Sequence, residues 1–228
     1  MAEAKKTILV IVAHPDDETI GMGGTIRKHV LDGDNVNVVS MTNGTGARKN
    51  NNSEKVNLRK RSSKLASDFL GFNWFKNFDF RDNAMDTYAL LEIIKSVEKS
   101  KNLLNPEIVY THSGADLNID HRIVTNAVLT AFRPQPKEIC REIRLFEVAS
   151  STDYGDESIT GRFEPNLFIN VANTWSDKEL ALNAYQEEMR EFPHSRSLMG
   201  IKNLAAYRGN QVGLHMCEAF QVIRKIEF

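Results

Sequence analysis

Apolar and polar positions divide the chain into short β-branched runs and longer amphipathic stretches. Thr7-Ile-Leu-Val-Ile-Val-Ala13 is an unbroken apolar run, the pattern of a strand covered on both faces. It stops at a polar cluster, His14-Pro15-Asp16-Asp17-Glu18. The spacing then predicts a helix over Thr19–Leu31 with Asp32-Gly33-Asp34 as its stop, and a strand over Asn35–Met41. Thr42–Gly46 reads as a turn-rich loop and Asn50–Asn52 as a short polar loop tract. A helix follows over Ser53–Leu70, with Gly71 as a left-handed C-cap. The aromatic segment Phe72–Phe80 shows no clean period and reads as irregular. Further helices are predicted over Thr87–Lys99 and Asp120–Phe132, with a strand at Ile108–Thr111 and a loop at His112–Ile119 between them. The C-terminal third predicts strands near Ile143–Val148, Leu167–Val171 and Ala219–Ile223, and helices near Lys178–Glu188 and Ser197–Tyr207.

Strands alternating with helices imply an α/β fold, a mostly parallel sheet with helices on both faces. In 228 residues with no internal repeat or boundary, one domain over residues 1–228 is expected. The hydrophobic share of 41% excludes a disordered chain. Twenty-nine Lys and Arg against 30 Asp and Glu leave a net charge of −1, which removes the electrostatic case for nucleic acid. The longest apolar run, Ile8–Ala13, is too short to span a bilayer, and MAEAKK lacks the features of a secretory signal. Two cysteines, Cys140 and Cys217, exclude a disulfide framework and a Cys-based metal site. A soluble, cytoplasmic protein is the expectation.

The chemistry gathers in two clusters. His14–Glu18 follows the first predicted strand, and His112-Ser-Gly-Ala-Asp-Leu-Asn-Ile-Asp-His121 follows Ile108–Thr111. In an open parallel sheet both loops fall at the carboxyl edge, where ligands bind. Two imidazoles and one carboxylate would complete a catalytic zinc site, which leaves a position for water and lowers that water's pKa towards about 7. A second carboxylate beside the metal can accept the water's proton, and adjacent Asp16 and Asp17 offer one ligand and one base. The bland alternative makes Asp16, Asp17 and Asp120 helix-capping residues. Two such clusters on one edge favour the metal site.

The run Ala13-His-Pro-Asp-Asp-Glu18 resembles the hallmark of the PIG-L/LmbE-like zinc de-N-acetylases, which remove acetyl groups from N-acetylglucosaminyl compounds. Asp116–His121, Arg208-Gly209 and Glu218-Ala219-Phe220 are similar to later parts of that family, so the likeness extends over nearly the whole chain. The resemblance implies a Rossmann-like sheet with Zn²⁺ at its carboxyl edge, held by His14, Asp17 and His121, and Asp16 as general base. It implies a small N-acetylated sugar or sugar conjugate as substrate, and a possible homo-oligomer. Asn118 stands where many relatives carry a histidine that steadies the tetrahedral intermediate; its amide can still donate a hydrogen bond there. Asp120, which orients that histidine in relatives, loses its usual partner. His112 and His215 are the histidines left to supply an imidazole. Arg59, Asp82 and His112 are the expected substrate contacts, with a surface ion pair, a turn residue and a buried structural residue as their respective alternatives.

Two other readings remain at this stage. A metal-dependent phosphoesterase could use a similar site, but only one metal triad is visible. A catalytically silent sugar- or nucleotide-binding module on the same fold would have no need of Asp16 as proton acceptor.

Overall fold

Ile8 to Val12 have no exposed surface, because strand β1 (Thr7–Val12) runs through the middle of a seven-stranded sheet. The structure, a computed structural model, describes residues 5–45 and 53–227; Gly46 and the Asn50–Asn52 tract lie outside the described residues. The chain order is β1, α1 (Asp17–Leu31), β2 (Asn35–Thr42), α2 (Ser53–Leu70), β3 (Asn73–Phe80), α3 (Leu90–Leu104), β4 (Ile108–His112) and α4 (Ile119–Ala131). It continues with β5 (Glu142–Phe146), a one-turn α5 (Glu157–Thr160), β6 (Leu167–Asn170), α6 (Trp175–Ala184), α7 (Leu198–Asn210) and β7 (Cys217–Lys225). Across the sheet the strands lie β3-β2-β1-β4-β5-β7-β6. The first five are parallel, and β7 is antiparallel to both its neighbours, so the expected mostly parallel α/β sheet is observed.

The two-residue period of β1 divides the core. Ile8, Val10 and Val12 pack with Ile26 of α1, Leu70 of α2, Leu182 of α6 and Ile201 of α7. Leu9, Ile11 and Ala13 face the other way, onto Ile93 and Val97 of α3 and Val124 and Val128 of α4. Burying a side chain of this size contributes roughly 1.5–3 kcal/mol. Among the described residues no helix is long and apolar enough to cross a membrane.

One expectation fails. Phe72–Phe80 is not irregular: Asn73–Phe80 is the edge strand β3. Its pairing with β2 slips between Val38 and Val39, where Trp74 and then Lys76 are the partners, leaving Phe75 as an extra residue. That bulge breaks the period-2 alternation and hides the strand. It also sends Trp74 to one core and Phe75, Phe78 and Phe80 to the other.

Helix α1 is interrupted. Met22, at φ −147° and ψ 24°, leaves helical geometry and separates the first turn from the rest. Glu218 on β7 caps the second segment, accepting from Gly24 N–H at 2.9 Å and Thr25 N–H at 2.6 Å. Buried Lys178 donates to Glu218 Oε1 at 2.7 Å and to the Ile20 carbonyl at 2.8 Å, binding both sides of the break. A Cβ at Gly24 would lie 2.7 Å from Val171 Cβ, so only glycine permits this approach of helix and β7–β6 end of the sheet. The closing Glu218-Ala219-Phe220 thus has a structural reason.

Candidate active site

Five loops meet at the carboxyl edge: those after β1, β2, β3, β4 and β5. After β1 the chain turns sharply. Asp16 takes φ 151° and ψ −27°, a conformation that costs about 1–3 kcal/mol for a non-glycine residue. The turn starts α1 at Asp17, two residues before the expected start, and Asp17 Oδ2 accepts from His14 N–H at 2.9 Å. Gly44 in the loop after β2, at φ +67°, leaves room for Pro15; a Cβ there would lie 2.9 Å from the proline ring.

His14, Asp17 and His121 converge. Asp17 Oδ2 is 3.2 Å from His14 Nδ1 and 3.3 Å from His121 Nε2, and the two nitrogens are 3.4 Å apart. A tetrahedral zinc with bonds of about 2.0–2.1 Å has adjacent ligand atoms about 3.3–3.4 Å apart. The three donor atoms therefore form one face of such a tetrahedron, and the donor set fits the ion. All three residues are buried.

Carboxylates stand behind both imidazoles. His121 Nδ1 lies 3.1 Å from Asp116 Oδ2, and Asp116 also accepts from Thr152 Oγ1 at 2.7 Å, Asn118 N–H at 2.8 Å and the Ser151 hydroxyl. His14 Nε2 lies 3.1 Å from Asp82 Oδ1 and 3.3 Å from Asp120 Oδ2. Asp120 is held by Asn83 N–H at 2.7 Å and Met85 N–H at 3.1 Å. It is therefore not the N-cap of α4; Asn118 is, accepting from Asp120 N–H at 2.9 Å through its side-chain oxygen. With its oxygen in the cap, Asn118 donates through its NH₂ group to Asn83 Oδ1 at 3.4 Å, and both residues line the cavity.

The charges respond to this crowding. Burial pulls the His121 pKa down, but Asp17 and Asp116 outweigh it and hold the ring up at about 9. Burial likewise opposes a charged His14, and Asp17, Asp120 and Asp82 raise it well above the ordinary histidine value. Burial would raise the Asp17 carboxyl, yet His121, His112 and His14 hold it well below the usual carboxylate range. Protons on the two imidazoles answer the surrounding carboxylates, which is the electrostatic demand that a bound cation meets.

Asp16 lines the same cavity but has its own partners. Its Oδ2 is 3.1 Å from Arg59 Nη1 and 3.7 Å from Arg196 Nη1. Burial raises its pKa, Arg59 and Arg196 oppose the rise, and Asp17 adds to it. Arg59 is buried, with its guanidinium also on the Pro15 carbonyl at 2.6 Å and on Glu188, and it sits over the Tyr185 ring. Its contacts make it a support for Asp16 as well as a cavity wall.

The cavity, roughly 310 Å³, is lined by the triangle and by Asp16, Arg59, Asp82, Asn83 and Asn118. Of the nine residues singled out in the sequence, seven line it, and an eighth, Asp120, reaches it through His14. His112 does not. It is fully buried at the end of β4, stacked on His121 with ring centroids 3.9 Å apart, and its Nε2 accepts from Ala13 N–H at 2.8 Å. Burial and neighbouring His121 push its pKa down to about 3. It packs against His121 from behind and is not part of this cavity's lining, a placement that fits the buried structural alternative in place of a substrate contact. Exposed His215, ahead of β7, is also remote from the cavity lining.

Sequence reasoning missed Asp116 as the partner of His121, although it lay inside the second cluster. It also missed Glu188, Arg190, His194 and Arg196, which reach the cavity from the α6–α7 connection. The one available signal was the density of charged and polar residues in Glu187–Ser197 between two helices.

Known proteins resemble the chain in sequence and in fold. Residues 9–132, more than half of the chain, match the family described as PIG-L: GlcNAc-PI de-N-acetylase. The chain belongs to that family. It is 27% identical over 209 residues to a probable N-acetyl-alpha-D-glucosaminyl L-malate deacetylase 2 of Bacillus cereus, covering 87% of this PIG-L family chain and 90% of that protein. Its fold is that of N,N'-diacetylchitobiose deacetylase from Pyrococcus horikoshii, with TM-score 0.78 and 20% identity over 96% of this chain and 84% of that one. GalB, the 4-carboxy-2-hydroxymuconate hydratase of Pseudomonas putida KT2440, shares the fold equally, with TM-score 0.77 and 20% identity over 98% of each chain. The fold alone thus does not select a reaction; the site must.

Proposed function

We infer that the protein is a zinc-dependent hydrolase that removes the acetyl group from an N-acetylated amino sugar or sugar conjugate. The observation that carries this reading is the donor triangle of His14, Asp17 and His121 with the separate carboxylate of Asp16 beside it on the cavity wall. Membership of a de-N-acetylase family and the similarity to an N-acetylglucosaminyl L-malate deacetylase support the substrate class. When bound, zinc supplies a Lewis acid for the acetyl carbonyl and lowers the pKa of water. Asp116 and Asp120 fix the orientation of His121 and His14 as ligands. Asp16, its charge moderated by Arg59, takes the proton from the attacking water and returns one to the departing amine. Asn118 donates its amide hydrogen to the developing oxyanion, the role a histidine fills in relatives. Asp82, between His14 and the open cavity, holds sugar hydroxyls.

The test is amine release from N-acetylglucosamine and its glycosides. Activity should vanish with chelator and return with zinc. Release that is indifferent to a chelator, in protein shown to be metal-free, would overturn the metal mechanism. Absence of release from every N-acetylated sugar by zinc-loaded protein would return the silent binding module.

A further inference from the structure

Glu18 closes the His14–Glu18 cluster, yet no step of the hydrolysis above uses it, and it is not part of the cavity lining. It is fully buried at the second position of α1. Its Oε2 accepts from Asp16 N–H at 3.0 Å. Its Oε1 accepts from the Thr19 hydroxyl at 2.7 Å and from the Tyr185 hydroxyl at 3.1 Å. The carboxylate thus reaches back two residues and closes a ring over the turn at Asp16, where φ is 151°. Such a backbone is unfavourable for a residue with a Cβ and persists only where its surroundings over-determine it. Glu18 supplies one of the restraints, and Tyr185 holds Glu18.

Tyr185 follows α6 directly and is itself buried. Its ring centre lies 5.9 Å from Arg59 Cζ, and Arg59 Nη1 is 3.1 Å from Asp16 Oδ2. Three residues on, Glu188 binds Nη2 of the same guanidinium, and its N–H bonds the Tyr185 carbonyl at 2.9 Å. One turn after α6 therefore reaches Asp16 by two routes. Through Glu18 it holds the backbone N–H; through Arg59 it holds the carboxylate. Restraining both ends of a side chain with only two rotatable bonds fixes where its carboxylate stands.

We propose that Glu18 and Tyr185 are positioning residues for the general base: the Tyr185 hydroxyl and the Glu18 carboxylate hold the strained turn that sets Asp16 on the cavity wall. Both roles rest on the reading of Asp16 as that base. A reacting group out of place costs rate even where binding is intact.

The experiment is a double-mutant cycle on zinc-loaded protein: wild type, Tyr185→Phe, Asp16→Asn and the double variant, read by amine release from N-acetylglucosamine and its methyl glycoside. Tyr185→Phe removes one oxygen and keeps the ring beside Arg59. It should retain zinc, lower kcat about tenfold and leave KM within about twofold. In the Asp16→Asn background the same change should alter the residual kcat by less than about twofold, because no base is left to position. A hydroxyl that only stabilises the fold would lower kcat by the same factor in both backgrounds. That result would overturn the proposal, as would an unchanged kcat in Tyr185→Phe or a loss confined to KM or to zinc content. Glu18→Gln goes through the same cycle with the same expected pattern, and decides the matter if Tyr185→Phe does not fold. Asp16→Asn alone reports on the underlying reading: wild-type kcat there would remove the base, and its positioning residues with it. Amine release from neither sugar by zinc-loaded wild type would strike the hydrolase reading and both roles together.

Discussion

His112 lies flat against His121, with ring centroids 3.9 Å apart and planes within 8°. One face of a proposed metal ligand is thus fixed by a residue that itself touches neither metal nor cavity. Replacing His112 by Phe keeps the stacked ring but removes the acceptor for Ala13 N–H, which lies just before His14. An unsatisfied buried N–H costs about 1–3 kcal/mol, and denaturant melts should show a loss of that size. The sign of the pH dependence follows. The folded protein keeps His112 neutral down to about 3, whereas the unfolded chain protonates it near 6.5. Stability from this residue is complete above about 6.5 and is lost as pH falls towards about 3, so the acid side of the stability profile should be shallower in His112→Phe.

Asp16 and Asp17 are chemically identical neighbours in different surroundings, one beside Arg59 and the other between two imidazoles. Asp16→Asn should retain zinc and lose about 10²–10⁴ in kcat. Asp17→Asn should lose zinc. Elemental analysis beside the activity assay separates them, and the reverse pattern would invert the two roles.

Zinc binding should be coupled to proton release. With its pKa held up at about 9, the His121 ring of the metal-free site carries a proton that the metal must displace. Affinity should therefore climb with pH up to about 9, and calorimetry at pH 7 in buffers of different ionisation enthalpy should detect released protons. The metal-free protein has its own signature. The stability contributed by His121 is fully present below about 6.5 and is lost as pH rises towards about 9, opposite in direction to His112.

Asp116→Asn tests the carboxylate behind His121. It keeps the shape but removes the charge that orients the ring, and loss of such an outer partner typically costs about 10–100-fold in metal affinity or activity. Competition with a zinc chelator of known affinity measures it; an unchanged affinity and kcat would reduce Asp116 to a cap for the Ser151–Thr152 turn.

Much of the site was legible because its anchors are local. The β-branched Ile8–Val12 can only be an interior strand, and a strand that ends at once in His14-Pro15-Asp16-Asp17 delivers those groups to the sheet edge. Asn118 and His121 follow β4 in the same manner. The bulge at Phe75 concealed β3 by moving aromatic residues between faces. His112 was ambiguous because a histidine at a strand end serves equally well in a cavity or behind one, and only the fold shows Ala13 N–H pointing at it. Arg190, His194 and Arg196 were out of reach for a different reason. They belong to a loop with no period to read, and tertiary packing alone carries it across to loops such as that of Ser150, 46 positions earlier, and to others further back in the chain.

The break in α1 has an electrostatic consequence for the carboxylates at its start. A continuous fifteen-residue helix would aim the summed dipole of all its peptide units at Asp16 and Asp17. Interrupted at Met22, it directs most of that dipole at Glu218, which receives the freed N–H groups of Gly24 and Thr25. Asp17 stands at the head of a single turn, where the backbone's attraction for negative charge is small. Its ionisation then answers to the imidazoles beside it, and through them to whatever cation the two rings share. The Lys178–Glu218 pair, outside the cavity lining, thereby leaves the imidazoles rather than the helix as the main electrostatic partners of that carboxylate.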